Sequence, residues 1–168
     1  YLDLVALATV CDLVKLDKIN RAFVKQGIKI LNKLNNTGLA ALVECSYVNQ
    51  VLNEYHLGFV LGPRINAGGR VGDSKLGVNL LTSKDKTTSL LISNKLCISN
   101  DKRRSIETKV LSEAMNQINE NSGDIICVHG KDWHPGVLGI VAAKITEKYF
   151  RPCIVISEDS HNCPASCR

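Results

Sequence analysis

From Lys84 to about Asn119 the chain contains neither proline nor glycine. These two residues are the usual punctuation of helices, so their absence over so long a run predicts one continuous helix, on the order of 50 Å in length. Apolar residues recur along it at Leu91, Ile98, Ile106, Val110, Leu111, Met115 and Ile118, with Arg103, Arg104 and Lys109 on its polar side. A helix that long outreaches a small domain and reads as a connector between two. Asn121-Ser122-Gly123 predicts its stop. The 168 residues therefore divide into 1–83, the connecting helix 84–121, and 122–168.

Beyond the helix, Ile125 to Val128 reads as a short buried strand, Gly130 to Pro135 as a loop, Gly136 to Tyr149 as a helix, and Cys153 to Ile156 as a second strand. Leu138, Val141, Ala142, Ile145 and Tyr149 fall at helical spacing, and Arg151-Pro152 breaks the pattern before the second strand. This is a βαβ unit with parallel strands and a right-handed crossover, which sets the fold class as α/β.

Before the long helix, the apolar run Leu2 to Leu16 is too dense for periodicity to separate helix from buried strand, and helix is the preferred reading. Asn20 is the expected cap of a second helix through about Leu34, with Ala22, Val24, Ile28 and Leu31 on its buried side and Asn35 to Gly38 ending it. A short helix over Leu39 to Cys45 follows. Gly62, Gly68, Gly69 and Gly72 then mark Gly62 to Arg70 as a loop that turns sharply or approaches something closely.

Composition excludes several classes. With 45% apolar and 22% charged residues the chain is neither disordered nor low in complexity. The run Leu2 to Leu16 is interrupted by Asp3, Asp12 and Lys15, short of the ~20 apolar residues of a membrane helix, so no membrane span is expected. There is no basic leader with a cleavage site, and the sequence opens on Tyr1, which suggests an excerpt of a cytoplasmic protein. Seven cysteines, an odd number, suit a reducing compartment with free thiols. A net charge of +5 permits an anionic partner without identifying it.

Four groups of residues carry potential chemistry. Asp12, within Val10-Cys11-Asp12-Leu13-Val14, is either a metal-binding carboxylate whose burial a cation offsets or a cap or turn residue. Arg64, Asn66 and Arg70 present two guanidinium forks and an amide to phosphate oxygens, or they are solvated residues of a linking turn. Gly130-Lys131-Asp132-Trp133-His134-Pro135-Gly136 leaves a strand and opens a helix, a place that favours anions, although Trp133 as a packing lid and His134 as a hydrogen-bonded strut are equally open. Asn100, Arg103, Arg104 and Glu107 share about two helical turns and read as a solvated ion-pair face. His161, Cys163 and Cys167 hint at zinc but lack a partner pair of finger-like spacing. Walker, Gly-x-Ser-x-Gly and His-Glu-x-x-His signatures are absent.

Taken together, Tyr1 to Asp12, then Leu61-Gly62-Pro63-Arg64-Ile65-Asn66-Ala67-Gly68-Gly69-Arg70, then Trp133-His134-Pro135-Gly136-Val137-Leu138-Gly139-Ile140-Val141-Ala142 closely resemble the RecJ family of single-stranded-DNA-specific exonucleases, in the DHH phosphoesterase superfamily. The resemblance implies the end of a DHH domain, a connecting long helix, and the first βαβ unit of a DHH-associated domain. It implies two divalent metals, Mn2+ or Mg2+, held mostly outside this chain, with Asp12 matching the last metal-binding aspartate. Arg64, Asn66 and Arg70 match the Arg-x-Asn-Ala-x-Gly-Arg loop near the cleft, and His134 the opening loop of the associated domain. Ser166 and Arg168 match the start of a Gly-Ser-x-Arg-Ser phosphate-binding motif, with Ala165 in place of the glycine and the last serine absent. The upstream aspartates and the Asp-His-His triplet have no counterpart, so the isolated chain is expected to lack nuclease activity.

The leading expectation is thus a piece of a metal-dependent 5′ to 3′ exonuclease acting on single-stranded DNA in recombination and repair. A single-strand-binding protein or a helicase as further partner stays open. One alternative is a non-catalytic fragment that binds single strands through phosphates. Another is an oligonucleotide or nucleotide phosphoesterase of the same superfamily, and a decayed gene remnant is compatible with the same residues.

Overall fold

The computed structural model describes residues 1–119, 123–159 and 162–168. These form two compact units, Tyr1–Asn100 and Asp101–Arg168. The first is helical: α1 Leu2–Cys11, α2 Lys18–Leu31, α3 Thr37–Cys45, a π-helical turn His56–Leu61 that runs directly into α4 Gly62–Val71, then α5 Lys75–Thr82 and the first part of α6 Lys86–Met115. Its core gathers Leu31, Leu39, Leu42, Leu57, Leu61, Leu80 and Leu96.

The run from Leu2 is helical as preferred, but it ends at Cys11, and Leu13 turns away with φ 53°. Asp17, not Asn20, occupies the N-cap of α2; Asn20 lies in the first turn, where its amide donates to the Lys15 carbonyl at 3.0 Å. Val24 and Leu31 are buried as expected and Ile28 half-buried, but Ala22 is exposed, and Gly27 holds the buried place instead. A Cβ on Gly27 would lie 2.2 Å from the Leu2 carbonyl oxygen, so α1 and α2 meet backbone to backbone there. Asn36 caps α3, its side chain accepting from the Leu39 N–H at 2.9 Å.

The predicted glycine-rich loop is instead helix α4. Pro63 stands in its first turn, directly after the π-helical turn. Two of the glycines serve contact, not turning: a Cβ on Gly62 would sit 2.4 Å from Cys11 Sγ, and one on Gly68 would sit 2.9 Å from the Asp73 carbonyl oxygen and 3.1 Å from Leu96 Cδ2. Glycine clusters mark loops only when the chain must bend, and here neighbouring segments must come close.

Helix α6 has 30 residues, about 45 Å. Its buried positions Ser89, Ser93, Leu96, Asn100, Glu107, Val110 and Ala114 are spaced by three, four or, once, seven residues, whereas Leu91 and Ile98, assigned to its apolar stripe, are 60% and 68% exposed. The unit boundary falls inside this helix, after Asn100. It ends at Met115; the expected stop at Asn121-Ser122 lies outside the described residues.

In the second unit, β1 Ile126–Lys131 pairs in parallel with β2 Cys153–Glu158, Ile126 opposite Cys153 and Lys131 opposite Glu158, with α7 Pro135–Tyr149 between them in sequence. The predicted βαβ unit is present. A third strand, β3 Ala165–Cys167, was not anticipated; it runs antiparallel to β2, with Ser166 opposite Val155. Val128, Val137, Val141, Ile145 and Val155 pack with Val110 and Ala114 of α6 to form this unit's core. The class is α/β, and among the described residues no helix is long and apolar enough to cross a membrane.

Candidate functional site

Asp12 is exposed and occupies the C-cap of α1, its N–H donating to the Ala8 carbonyl at 2.9 Å. The expected burial is therefore absent, because α1 stops one residue earlier and releases the side chain to solvent. The position is nonetheless electrostatically poor for a carboxylate: a helix C-terminus carries partial negative charge, and an anion there is disfavoured unless a cation joins it. Beside it opens a pocket of about 200 Å³ lined by Leu7, Cys11, Asp12, Gly62, Ile65 and Asn66, among others. Cys11 donates its thiol to the Leu57 carbonyl at 3.5 Å. Burial, and then the adjacent Asp12 carboxylate, hold that thiol above its usual range.

The same pocket brings Asn66 to Asp12 although the two stand far apart in sequence. The contact of Gly62 with Cys11 is what draws the start of α4 to the end of α1. Arg70 follows Asn66 by one turn and is exposed. Arg64 is half-buried, and its Nη1 donates to the Val60 carbonyl at 2.7 Å, so its guanidinium is tied to the backbone of the preceding turn. The convergence of Arg64, Asn66 and Arg70 expected of a loop does not arise on a helix, where residues two apart point to nearly opposite sides.

In the second unit, His134 is the N-cap of α7, its Nδ1 accepting from the Gly136 N–H at 3.1 Å. Trp133 is buried and donates its indole N–H to Glu113 Oε2 at 2.7 Å, and Gly130 leaves room for the ring: a Cβ there would lie 2.3 Å from it. Ser166 and Arg168 come to the first turns of α7. A Cβ on Gly139 would lie 3.2 Å from Ser166 Oγ and 3.5 Å from Arg168 Nη2. Register explains this, since the Arg168 N–H and carbonyl both pair with Cys153 at 3.0 and 2.8 Å, fixing the strand end beside the helix. A hydroxyl, a guanidinium and a helix N-terminal turn are a combination suited to phosphate oxygens.

The expected solvated ion pair is largely buried instead. Arg103 and Glu107 pair one turn apart, and Lys144 of α7 reaches Glu107 Oε1 at 2.5 Å, with the Glu107 side chain only 8% exposed. Packing of α7 on α6 covers a face that sequence alone assigns to water. Asn100 is fully buried and Arg104 exposed. Of the zinc candidates, His161 lies outside the described residues, and Cys163 and Cys167 are exposed. Among the described residues no group of three or more His, Cys, Asp or Glu is placed to hold a metal ion.

Sequence reasoning missed two features. Cys11 lines the Asp12 pocket, and only the unusual proximity of a cysteine to the aspartate hinted at it. Tyr55 and Phe59 form an exposed stacked pair, ring centroids 5.1 Å apart and planes at 26°, for which the spacing of four between two aromatic residues was the available signal.

The chain is 38% identical over 164 residues to the single-stranded-DNA-specific exonuclease RecJ of Dickeya dadantii, covering 93% of this chain and 28% of that protein. It is 35% identical over 161 residues to the RecJ of Bacillus subtilis, covering 94% of this chain and 20% of that one. The crystal structure of Thermus thermophilus RecJ in complex with Mn2+ superposes with a TM-score of 0.85 at 30% identity, over 94% of this chain and 24% of that chain. In sequence and fold the chain is similar to one segment of these RecJ proteins. No family model matches it. The chain spans less than a third of the length of the curated relatives it matches. The solved relatives include RecJ in complex with Mg2+ as well as with Mn2+.

Proposed function

We propose that the chain is part of a divalent-metal-dependent exonuclease that degrades single-stranded DNA from the 5′ end in recombination and repair, and that by itself it binds such DNA without hydrolysing it. The observation that carries this reading is the pocket joining Asp12 to Asn66, on a chain whose likeness to RecJ proteins runs through 93% of its residues. Asp12 offers a hard oxygen donor of the kind Mn2+ and Mg2+ take, at a helix end that favours a cation beside it. One carboxylate does not make a two-metal site, and no cluster of three possible ligands occurs among the described residues, so the hydrolytic step is not assigned to this chain.

The strand is held through its phosphates in this reading. Ser166, Arg168 and the α7 turn capped by His134 take one phosphate, Arg70 and Asn66 on α4 offer a guanidinium and an amide to another, and Arg64 keeps α4 attached to the preceding turn. The exposed Tyr55–Phe59 pair suits stacking with a base. The domain assignment is the end of a DHH domain through residue 83, a connecting helix, and the start of a DHH-associated domain from residue 122. A cytoplasmic location is part of this reading, for which the odd number of cysteines in the sequence speaks.

Grafting tests the metal role. This chain replaces the matching stretch of Escherichia coli RecJ, to which it is 38% identical over 164 residues, and strand shortening is followed with and without Asp12→Ala. Among grafts that still bind single-stranded DNA, the Asp12 form hydrolyses and Asp12→Ala does not. Undiminished hydrolysis by the variant removes Asp12 from the metal site. The non-catalytic alternative rests on the same basic residues, and a preference for very short oligonucleotides over long strands would favour the phosphoesterase alternative.

A further inference from the structure

The cysteine pair Cys45 and Cys97 belongs to neither candidate group. Cys45 is the last residue of α3, and Cys97 lies on the part of α6 that belongs to the first unit. Both are half-buried, and their Sγ atoms are 2.6 Å apart. Cys45 also donates toward Asn94 Oδ1 at 3.2 Å, and Cys97 Sγ lies 3.7 Å from the Cys45 carbonyl oxygen, so the two thiols are held against each other from two sides. They are 52 positions apart in sequence, which makes the juxtaposition a product of the fold.

From this geometry we infer that Cys45 and Cys97 are an oxidative modification site that closes to a disulfide when a small peroxide reaches it. The sulfurs are already within easy reach of bonding distance, and partial exposure admits a molecule the size of hydrogen peroxide. One thiolate attacks the peroxide, the O–O bond breaks, and a sulfenic acid and one water result. The second thiol then displaces the hydroxyl, which leaves as another water, and the S–S bond forms. Two thiols have lost two electrons and two protons, and the peroxide has been reduced to two waters. Other cysteines do not offer the same path: Cys153 is buried, with its thiol pushed up to about 11 by burial first and then by Cys127 and Cys167, while Cys127, Cys163 and Cys167 are exposed and open to capping by any thiol reagent.

The consequence is local. A bond between α3 and α6 closes a loop through the π-helical turn and α4, which carry Asn66 and one wall of the Asp12 pocket. Closing a long loop restricts the unfolded chain, so the oxidised first unit resists unfolding more than the reduced one. In a reducing cytoplasm such a bond is transient, as suits a response to oxidant.

The purified 168-residue chain is treated with hydrogen peroxide, remaining thiols are alkylated, and tryptic peptides are mapped by mass spectrometry. The dominant cross-link expected joins Leu34–Arg64 to Leu96–Lys102, disappears on reduction with dithiothreitol, and is absent from Cys97→Ser. Recovery of Cys45 and Cys97 as alkylated thiols or as sulfonic acids, or their pairing mainly with other cysteines, overturns the inference. The wild-type map decides the matter even if the variant folds poorly.

Discussion

In the unit Tyr1–Asn100, Asp12 and Asn66 line one pocket because a glycine lets the end of one helix press on the start of another. In Asp101–Arg168, Ser166 and Arg168 reach α7 because strand register delivers them and Gly139 leaves space. The first arrangement is made by volume and the second by topology. They also differ in electrical sense. The first presents carbonyl and carboxylate oxygens at a helix C-terminus, the second a guanidinium and a hydroxyl at a helix N-terminus. In the proposed reading the first place takes a cation and the second a phosphate, and each is sensitive to a different kind of perturbation.

The largest effect is expected where charge is buried. Replacing Glu107 by Ala leaves Arg103 without its carboxylate in a covered position, and the second unit should lose roughly 3 kcal/mol, the lower end for a broken buried pair because Lys144 is half exposed. Trp133, the only tryptophan, lies in that unit, so denaturant titration followed by its fluorescence reads the loss directly. An unchanged fluorescence midpoint would mean that the Arg103–Glu107–Lys144 cluster contributes nothing net.

Next comes Gly62→Val. Its Cβ would collide with Cys11 Sγ and approach the Leu57 carbonyl, so the first unit should be destabilised by about 1–3 kcal/mol. Far-UV circular dichroism, dominated by the helices, should show an earlier transition while Trp133 fluorescence moves little. A shift of the fluorescence transition alone would contradict the packing account of the Asp12–Asn66 pocket.

These two sites also show what the sequence could and could not reveal. The βαβ unit was legible because strand, helix and breaker follow one another locally: Ile126 to Val128, Pro135 to Tyr149, Pro152. The nature of α4 was not, since Gly62, Gly68 and Gly69 satisfy the usual description of a loop, and only the neighbours Cys11, Asp73 and Leu96 disclose why glycine is needed. The buried face of α6 was hidden for a related reason. Its positions Ser89, Ser93, Asn100 and Glu107 are polar, while Leu91 and Ile98 face solvent, so apolar periodicity misled over the first part of the helix, whereas Ile106, Val110, Leu111 and Met115 do face the second unit's core. The residues of the candidate sites could be named from motifs, but which of them meet depended on helix ends and strand register. The strand Ala165–Cys167, too short to show alternation, escaped notice for that reason.

The smallest expected effect concerns pH. Asp85, just before α6, accepts from the Thr88 N–H at 2.7 Å, and hydrogen bonds to Thr88 hold its carboxyl below its ordinary value. A depressed folded-state value means that the cap contributes above the unfolded carboxylate range and is lost as pH falls through the folded one. Wild-type helicity should therefore decline slightly below about pH 4 through fraying at Lys86. Asp85→Asn should flatten that part of the titration, and an identical acid profile for both proteins would show that Asp85 does not cap the helix.

The account turns most directly on what the chain does to a 5′-labelled single strand in the presence of Mn2+, with bound fraction and strand length read from the same samples across a salt series. It predicts binding that weakens steeply with salt, by ~0.7 logarithmic units per tenfold rise in salt for each neutralised phosphate, is diminished in Arg168→Ala, and leaves the strand at full length. Salt-independent binding, or none at low salt, would contradict the phosphate-binding role, and shortening of the strand by the pure chain would contradict the claim that its single candidate metal ligand is insufficient for hydrolysis.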